Sequence, residues 1–179
     1  MARLLASTPA QGLGLPLVVG AARLSEAVLG PVTSIAPFAG RAEDVAARLG
    51  APLPAPGRVG VVDGGRLLWT GPGRALLVGR EAPELRDLAS VADQGDGIVC
   101  VVLEGARARD VLARLVPLDL RDRDFPVETT ARTLLGHMAV TLTRVGVEAW
   151  EIMAMRSMAV TLVRELTEAM RHVAARGTA

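Results

Sequence analysis

The chain contains no lysine; its 20 basic side chains are all arginine, set against 19 acids. Without lysine there is no Schiff-base amine and no phosphate-loop lysine, which removes whole classes of chemistry. Tyrosine and asparagine are also absent, and the aromatic side chains are only Phe38, Trp69, Phe125 and Trp150. So few stacking surfaces, with a formal net charge of +1, leave no basis for nucleic-acid binding. Acids also interleave with Arg107, Arg109, Arg114, Arg121 and Arg123, as on an ordinary charged face. The single cysteine, Cys100, cannot form an internal disulfide. With only His137 and His172 beside it, no metal cluster has a workable spacing.

Long apolar runs are missing as well. No stretch approaches the roughly 20 residues needed to span a bilayer. The apolar run Leu13–Val19 is broken by Gly14 and Pro16, which makes a poor secretory signal. The expectation is a cytoplasmic protein with no membrane partner. What is abundant is small and apolar. Half the residues are hydrophobic and 19 more are glycine, above the usual share for a soluble domain. Compositional bias and burial of part of the surface by partners both account for this, and the two are compatible.

Along the chain, residues 1–40 read as an N-terminal tail followed by an extended arm. Pro16, Pro31 and Pro37, with Gly20, Gly30 and Gly40, exclude a long helix there. A first lobe is expected over 41–97. It opens on a short helix at 42–49, closed by Gly50, and the proline-rich linker 51–57 follows. Strands at 58–62 and 66–70 flank the Asp63-Gly-Gly65 turn, and 75–79 follows as a third strand. A helix is expected at 83–90. The second lobe, 98–179, reads as strand (98–103), helix (106–115), three strands (130–135, 138–143, 149–153) and a final helix (157–175). Met158, Leu162, Leu166, Met170 and Val173 give that helix an apolar stripe, with Ser157 as its candidate N-cap. Interspersed helices and hairpin-linked strands define an α+β class with mostly antiparallel sheets.

Catalytic groups are hard to find. His137 follows Gly136 between two strands and reads as a turn or interface residue; His172 belongs to a helix C-terminus. The acids of 118–124 alternate with Arg121 and Arg123, as in a charge-compensated loop. The glycine pairs at 71/73 and 95/97 fit neither a dinucleotide nor a phosphate-loop pattern.

One succession of motifs is specific. Leu103-Glu-Gly-Ala-Arg-Ala-Arg-Asp-Val-Leu-Ala-Arg-Leu115 is followed by Pro117-Leu-Asp-Leu120, then by Phe125-Pro126. Ala131-Arg-Thr-Leu-Leu-Gly-His137 comes next, and Met155-Arg-Ser157 opens the last helix. This succession resembles the gamma subunit of heterotetrameric sarcosine oxidase. Leu68-Trp-Thr-Gly-Pro72 and Ala75-Leu-Leu-Val78 resemble an earlier block of the same family. The resemblance covers 98–170 well and 66–78 loosely. Ala106 stands where the family usually has proline, Val116 where it often has cysteine, and Arg74-Ala75 replaces an acid and a tryptophan.

The resemblance implies an aminomethyltransferase-like, folate-binding fold. It also implies a structural, non-catalytic subunit in a complex that oxidatively demethylates sarcosine to glycine. FAD, FMN, NAD, tetrahydrofolate and zinc would lie on other subunits, with alpha, beta and delta chains as partners. No catalytic, cofactor or metal residue is assigned to this chain. Arg107, Asp110, Asp119, His137, Arg156 and Ser157 are the interface candidates. Arg156 precedes a helix N-terminus, where the dipole disfavours a cation by about 0.3–1 kcal/mol unless something compensates; it reads either as simply exposed or as paired with a carboxylate, inside the subunit or across an interface. The alternative is a free-standing folate- or amine-ligand-binding module, for which Asp110, Asp119, Arg132 and Arg156 would be candidates.

Overall fold

The computed structural model describes residues 7–176. Two antiparallel sheets lie back to back. The five-stranded sheet runs in the order β4 (Val59–Val62), β5 (Gly65–Gly71), β6 (Arg74–Val78), β3 (Val32–Pro37), β7 (Ala89–Asp93). The six-stranded sheet runs β1 (Leu17–Val19), β2 (Ala22–Glu26), β8 (Ile98–Glu104), β11 (Ala149–Met155), β10 (Met138–Gly146), β9 (Thr130–Leu135). Helix α1 (Ala42–Leu49) covers the outer face of the smaller sheet. Helices α2 (Ala108–Leu112) and α3 (Ala159–Arg176) cover the larger one.

Strand periodicity explains the layers. In β8, Val99, Val101 and Leu103 enter the core beneath α2 and α3, while Cys100 points the other way. In β6, Ala75 and Leu77 face α1, while Leu76 and Val78 point back. Cys100, Met153, Val32, Leu68, Leu76 and Val78 then meet as a third apolar layer between the sheets. Because both faces of β8 are covered, its sequence reads as an unbroken apolar run rather than an alternation. Arg66 of β5 and Glu151 of β11 form a part-buried ion pair.

Burial pushes the Cys100 thiol well above its ordinary range, and the nearby Glu151 charge adds to the shift. The folded chain therefore holds this proton more tightly than the unfolded one. Its contribution to stability is complete below the unfolded thiol pKa of about 8.5 and declines as pH rises beyond it. Cys100 is expected not to react with Ellman's reagent at pH 8 in the native state. It should react stoichiometrically in urea, which absorbance at 412 nm reads directly.

The α+β class and the antiparallel sheets agree with the sequence reading; several elements differ. The stretch read as an arm is extended, but it is woven into both sheets: β1 and β2 join the larger, and β3 lies inside the smaller. No helix forms at 83–90. Leu85, Leu88 and Ala89 have helix-like spacing, but they make one turn through bonds from Leu88 and Ala89 N–H to the Leu85 carbonyl. The chain then straightens to pair with β3. Helix α2 is shorter than expected, breaking into turns before Pro117.

The two sheets repeat one topology. β3-α1-β4-β5-β6 and β8-α2-β9-β10-β11 each place the fourth strand beside the first, then the third, then the second. On the far side of its first strand, the smaller sheet adds β7 and the larger adds β2 and then β1.

Candidate functional site

The most heavily engaged charged residue lies at the distal end of the β10–β11 hairpin. Arg144 is only 4% exposed. Its guanidinium donates to the carbonyls of Phe125 (2.9 Å), Val147 (2.6 Å) and Gly146 (3.2 Å). It also reaches the Asp122 carboxylate at 2.8 Å and lies over the Trp150 ring, 5.2 Å from its centroid. Phe125 packs against Trp150 at 5.4 Å between centroids.

Backbone geometry accounts for this arrangement. The β10–β11 register shifts between Arg144 and Gly146. The bulge and the turn beyond it bring the carbonyls of Gly146 and Val147 back toward the guanidinium, and the arginine collects them. Beside it is a cleft of about 190 Å³ lined by Gly105, Arg109, Asp122, Arg144, Glu148 and Trp150. Its two cations and two carboxylates balance, and it contains no nucleophile. Arg109 is itself drawn to Asp122 at 3.5 Å. The cluster clamps the hairpin to the 121–126 loop.

The residues singled out from the sequence do not converge on one site. Arg107 and Asp110 pair with each other at 3.0 Å across the first turn of α2. Asp119 is held by Arg121, whose side-chain and backbone bonds keep its carboxyl well below the usual carboxylate range. His137 is exposed in the β9–β10 turn, next to Gly136, which has positive φ. Arg156 does have a compensating partner, but it is the carbonyl of Ser7, at 2.8 Å, rather than a carboxylate. Ser157 lies within a 3-10 turn, Arg156–Met158, and makes no capping bond. Arg132 and His172 are exposed. Among the described residues, no group of three or more His, Cys, Asp or Glu is placed to hold a metal ion, and no helix is long and apolar enough to cross a membrane.

Arg144 and Trp150 were not singled out from the sequence. A signal for Arg144 was present: Met138, Val140, Leu142 and Arg144 share one parity along β10, and the first three are core residues. The parity rule places the arginine inward with them.

An α+β chain of back-to-back antiparallel sheets with this topology has the fold of an aminomethyltransferase. The T protein of the glycine cleavage system from Bartonella henselae superposes with a TM-score of 0.61 at 16% identity, over 86% of this chain and 47% of that one. The likeness to heterotetrameric sarcosine oxidase from Corynebacterium sp. U-96, in complex with pyrrole 2-carboxylate, is stronger. One of its chains matches with a TM-score of 0.84 and 29% identity, over 96% of this chain and 97% of that one. Sarcosine oxidase subunit gamma of Corynebacterium sp. strain U-96 is 36% identical over 142 residues, 73% of this chain and 69% of the relative. The strain P-1 subunit gamma is 31% identical over 124 residues, 64% and 61% of the two chains. The chain belongs to the sarcosine oxidase gamma-subunit family. No family model matches the sequence.

Proposed function

We propose that the chain is the gamma subunit of a heterotetrameric sarcosine oxidase and serves assembly rather than turnover. The observation that carries this reading is the end-to-end likeness to a chain of that complex, covering 96% of this protein and 97% of the other. The local chemistry is in keeping with it. His137 and His172 are exposed, Asp119 is neutralised by Arg121, and the buried Arg144 is fully engaged by its own chain. On this reading the alpha, beta and delta subunits are the partners, and the complex works in the cytoplasm. FAD, FMN, NAD, tetrahydrofolate and zinc sit on those other chains. Arg107, Asp110, Asp119, His137, Arg156 and Ser157 remain interface candidates. All six are at least partly solvent-accessible and so are available to a partner.

Co-expression with the three partner subunits tests the reading. The expected result is stoichiometric co-purification and sarcosine-dependent oxygen consumption that is lost when this chain is omitted. A monodisperse monomer that never associates with the other subunits would refute it. Arg156→Ala frees the carbonyl of Ser7. It is expected to lower the yield of complex several-fold while leaving turnover per assembled complex near wild type. The reverse pattern would refute an assembly role for this residue.

A further inference from the structure

We propose that the outer edge of β7 takes an extended, cationic segment of a partner subunit as a sixth strand of the smaller sheet. The inference rests on the assembly reading and assigns it a surface.

The edge is defined by hydrogen bonds. Gln94 N–H donates to the Val32 carbonyl and Phe38 N–H to the Leu88 carbonyl. With the β3–β7 register, these two bonds fix the alternation: Ser90 and Ala92 face β3, and Val91 and Asp93 turn their N–H and C=O groups outward. Among the described residues, neither outward pair has a backbone partner. The opposite edge strand, β4, is partly occupied by the chain itself, since the outward N–H of Val59 donates to the Glu128 carbonyl.

The repeated topology points to the same position. In the larger sheet, β2 stands where β7 stands in the smaller one, and β1 pairs beyond β2. The smaller sheet ends at β7. Beside that edge runs a groove of about 520 Å³. Its lining includes Val91, which is 37% exposed, and the carboxylates of Glu81, Glu84, Asp93 and Asp96, opposed only by Arg86. Glu84 is partly answered by Arg86 at 3.8 Å, and Asp93 accepts the Gly95 N–H at 2.8 Å. Glu81 and Asp96 have no ion-pair partner among the described residues.

Charge selects the occupant. Unpaired strand groups recruit any extended backbone, whereas carboxylates beside them favour a segment carrying arginine or lysine. A second copy joined edge to edge through β7 would bring its own Glu81 and Asp96 to the same seam, and like charges there oppose the pairing.

Residue-resolved amide exchange on the intact complex tests the proposal. Ser90 and Ala92 serve as internal controls, because their amides are bonded to β3 whether or not a strand is added. The expected result is that Val91 and Asp93 exchange at least 100-fold more slowly than in a free peptide, like their neighbours. If Ser90 and Ala92 are protected while Val91 and Asp93 exchange freely in an assembled complex, the edge is open and the proposal fails, with the assembly reading intact. Failure to form any complex would instead count against the assembly reading. The double variant Glu81→Arg/Asp96→Arg leaves the backbone edge in place and is expected to lower protection at Val91 and Asp93 at least tenfold. Unchanged protection in this variant would overturn the cationic occupant. Protection that disappears when residues 1–6 are deleted would assign the edge to this chain's own N-terminus, and would also overturn it.

Discussion

Replacing Arg144 with methionine is expected to lower the unfolding free energy by about 3 kcal/mol, read as a fall in the urea midpoint at unchanged slope. Methionine approximates the aliphatic stem and can still cover the Trp150 ring, but it donates nothing. The carbonyls of Phe125, Gly146 and Val147 then lose the donor that serves them. The buried Phe125 carbonyl left without a partner costs about 1–3 kcal/mol, while water can reach the part-buried carbonyls of Gly146 and Val147 from the neighbouring cleft. The Asp122 contribution is small, because that carboxylate is 73% exposed and solvent screens it. Arg144→Lys is expected to be intermediate: its one ammonium cannot reach three diverging carbonyls and still lie flat on an indole. A variant as stable as wild type would show that the guanidinium is dispensable and that the hairpin is held by apolar packing alone.

The second large effect is expected at Gly105, which joins β8 to α2. Its φ of 114° is one that side-chain-bearing residues rarely adopt, and a Cβ there would overlap the carbonyl oxygen of Ala21. The Gly105 N–H also donates to the Glu148 carbonyl at 2.9 Å, so the backbone cannot swing away without losing that bond. Positive φ alone costs about 1–2 kcal/mol for a residue with a Cβ. Relieving the overlap means displacing the backbone next to β2. Gly105→Ala is therefore expected to cost about 3 kcal/mol or more. It should also selectively loosen β1 and β2, visible as faster amide exchange over residues 17–26. Uniformly unchanged exchange there would show that the loop relaxes without strain.

Both positions bear on what could be read in advance. The order of elements in 98–179 was legible because each type has its own period: an unbroken apolar β8, alternation along β10, and three-and-four spacing in α3. The first half was harder. Strand β3 carries Ser34 and Pro37 and sits between Gly30 and Gly40, so its composition suggests a loop. Its strand character comes from neighbours on both sides, β6 and β7, which lie 40 or more residues further along. No local window contains that information. The same gap hid the topological repeat, since without β3 the first half has one strand too few to match the second. Gly105 carried a weak signal, as glycine between a strand and a helix often marks an unusual backbone. Two of the three carbonyls that engage Arg144 come from the bulged end of the hairpin and the third from the 121–126 loop, a meeting that sequence alone does not reveal. The interface candidates were chosen by likeness to a family, and the fold leaves them distributed over the surface.

The pairing of β2 with β8 places Arg23 opposite Glu104, 81 residues later in the chain. During synthesis, the N-terminal segment must leave the ribosome and wait until most of a hundred residues have followed before its partner strand exists. Its apolar positions, Leu24 and Ala22 among them, are uncovered throughout that interval. Non-local pairings of this kind slow folding and extend the exposure of sticky intermediates. Maturation of this chain is thus tied to the translation of its second half, and a stall near the middle of the message would release a product whose first strands have nowhere to go.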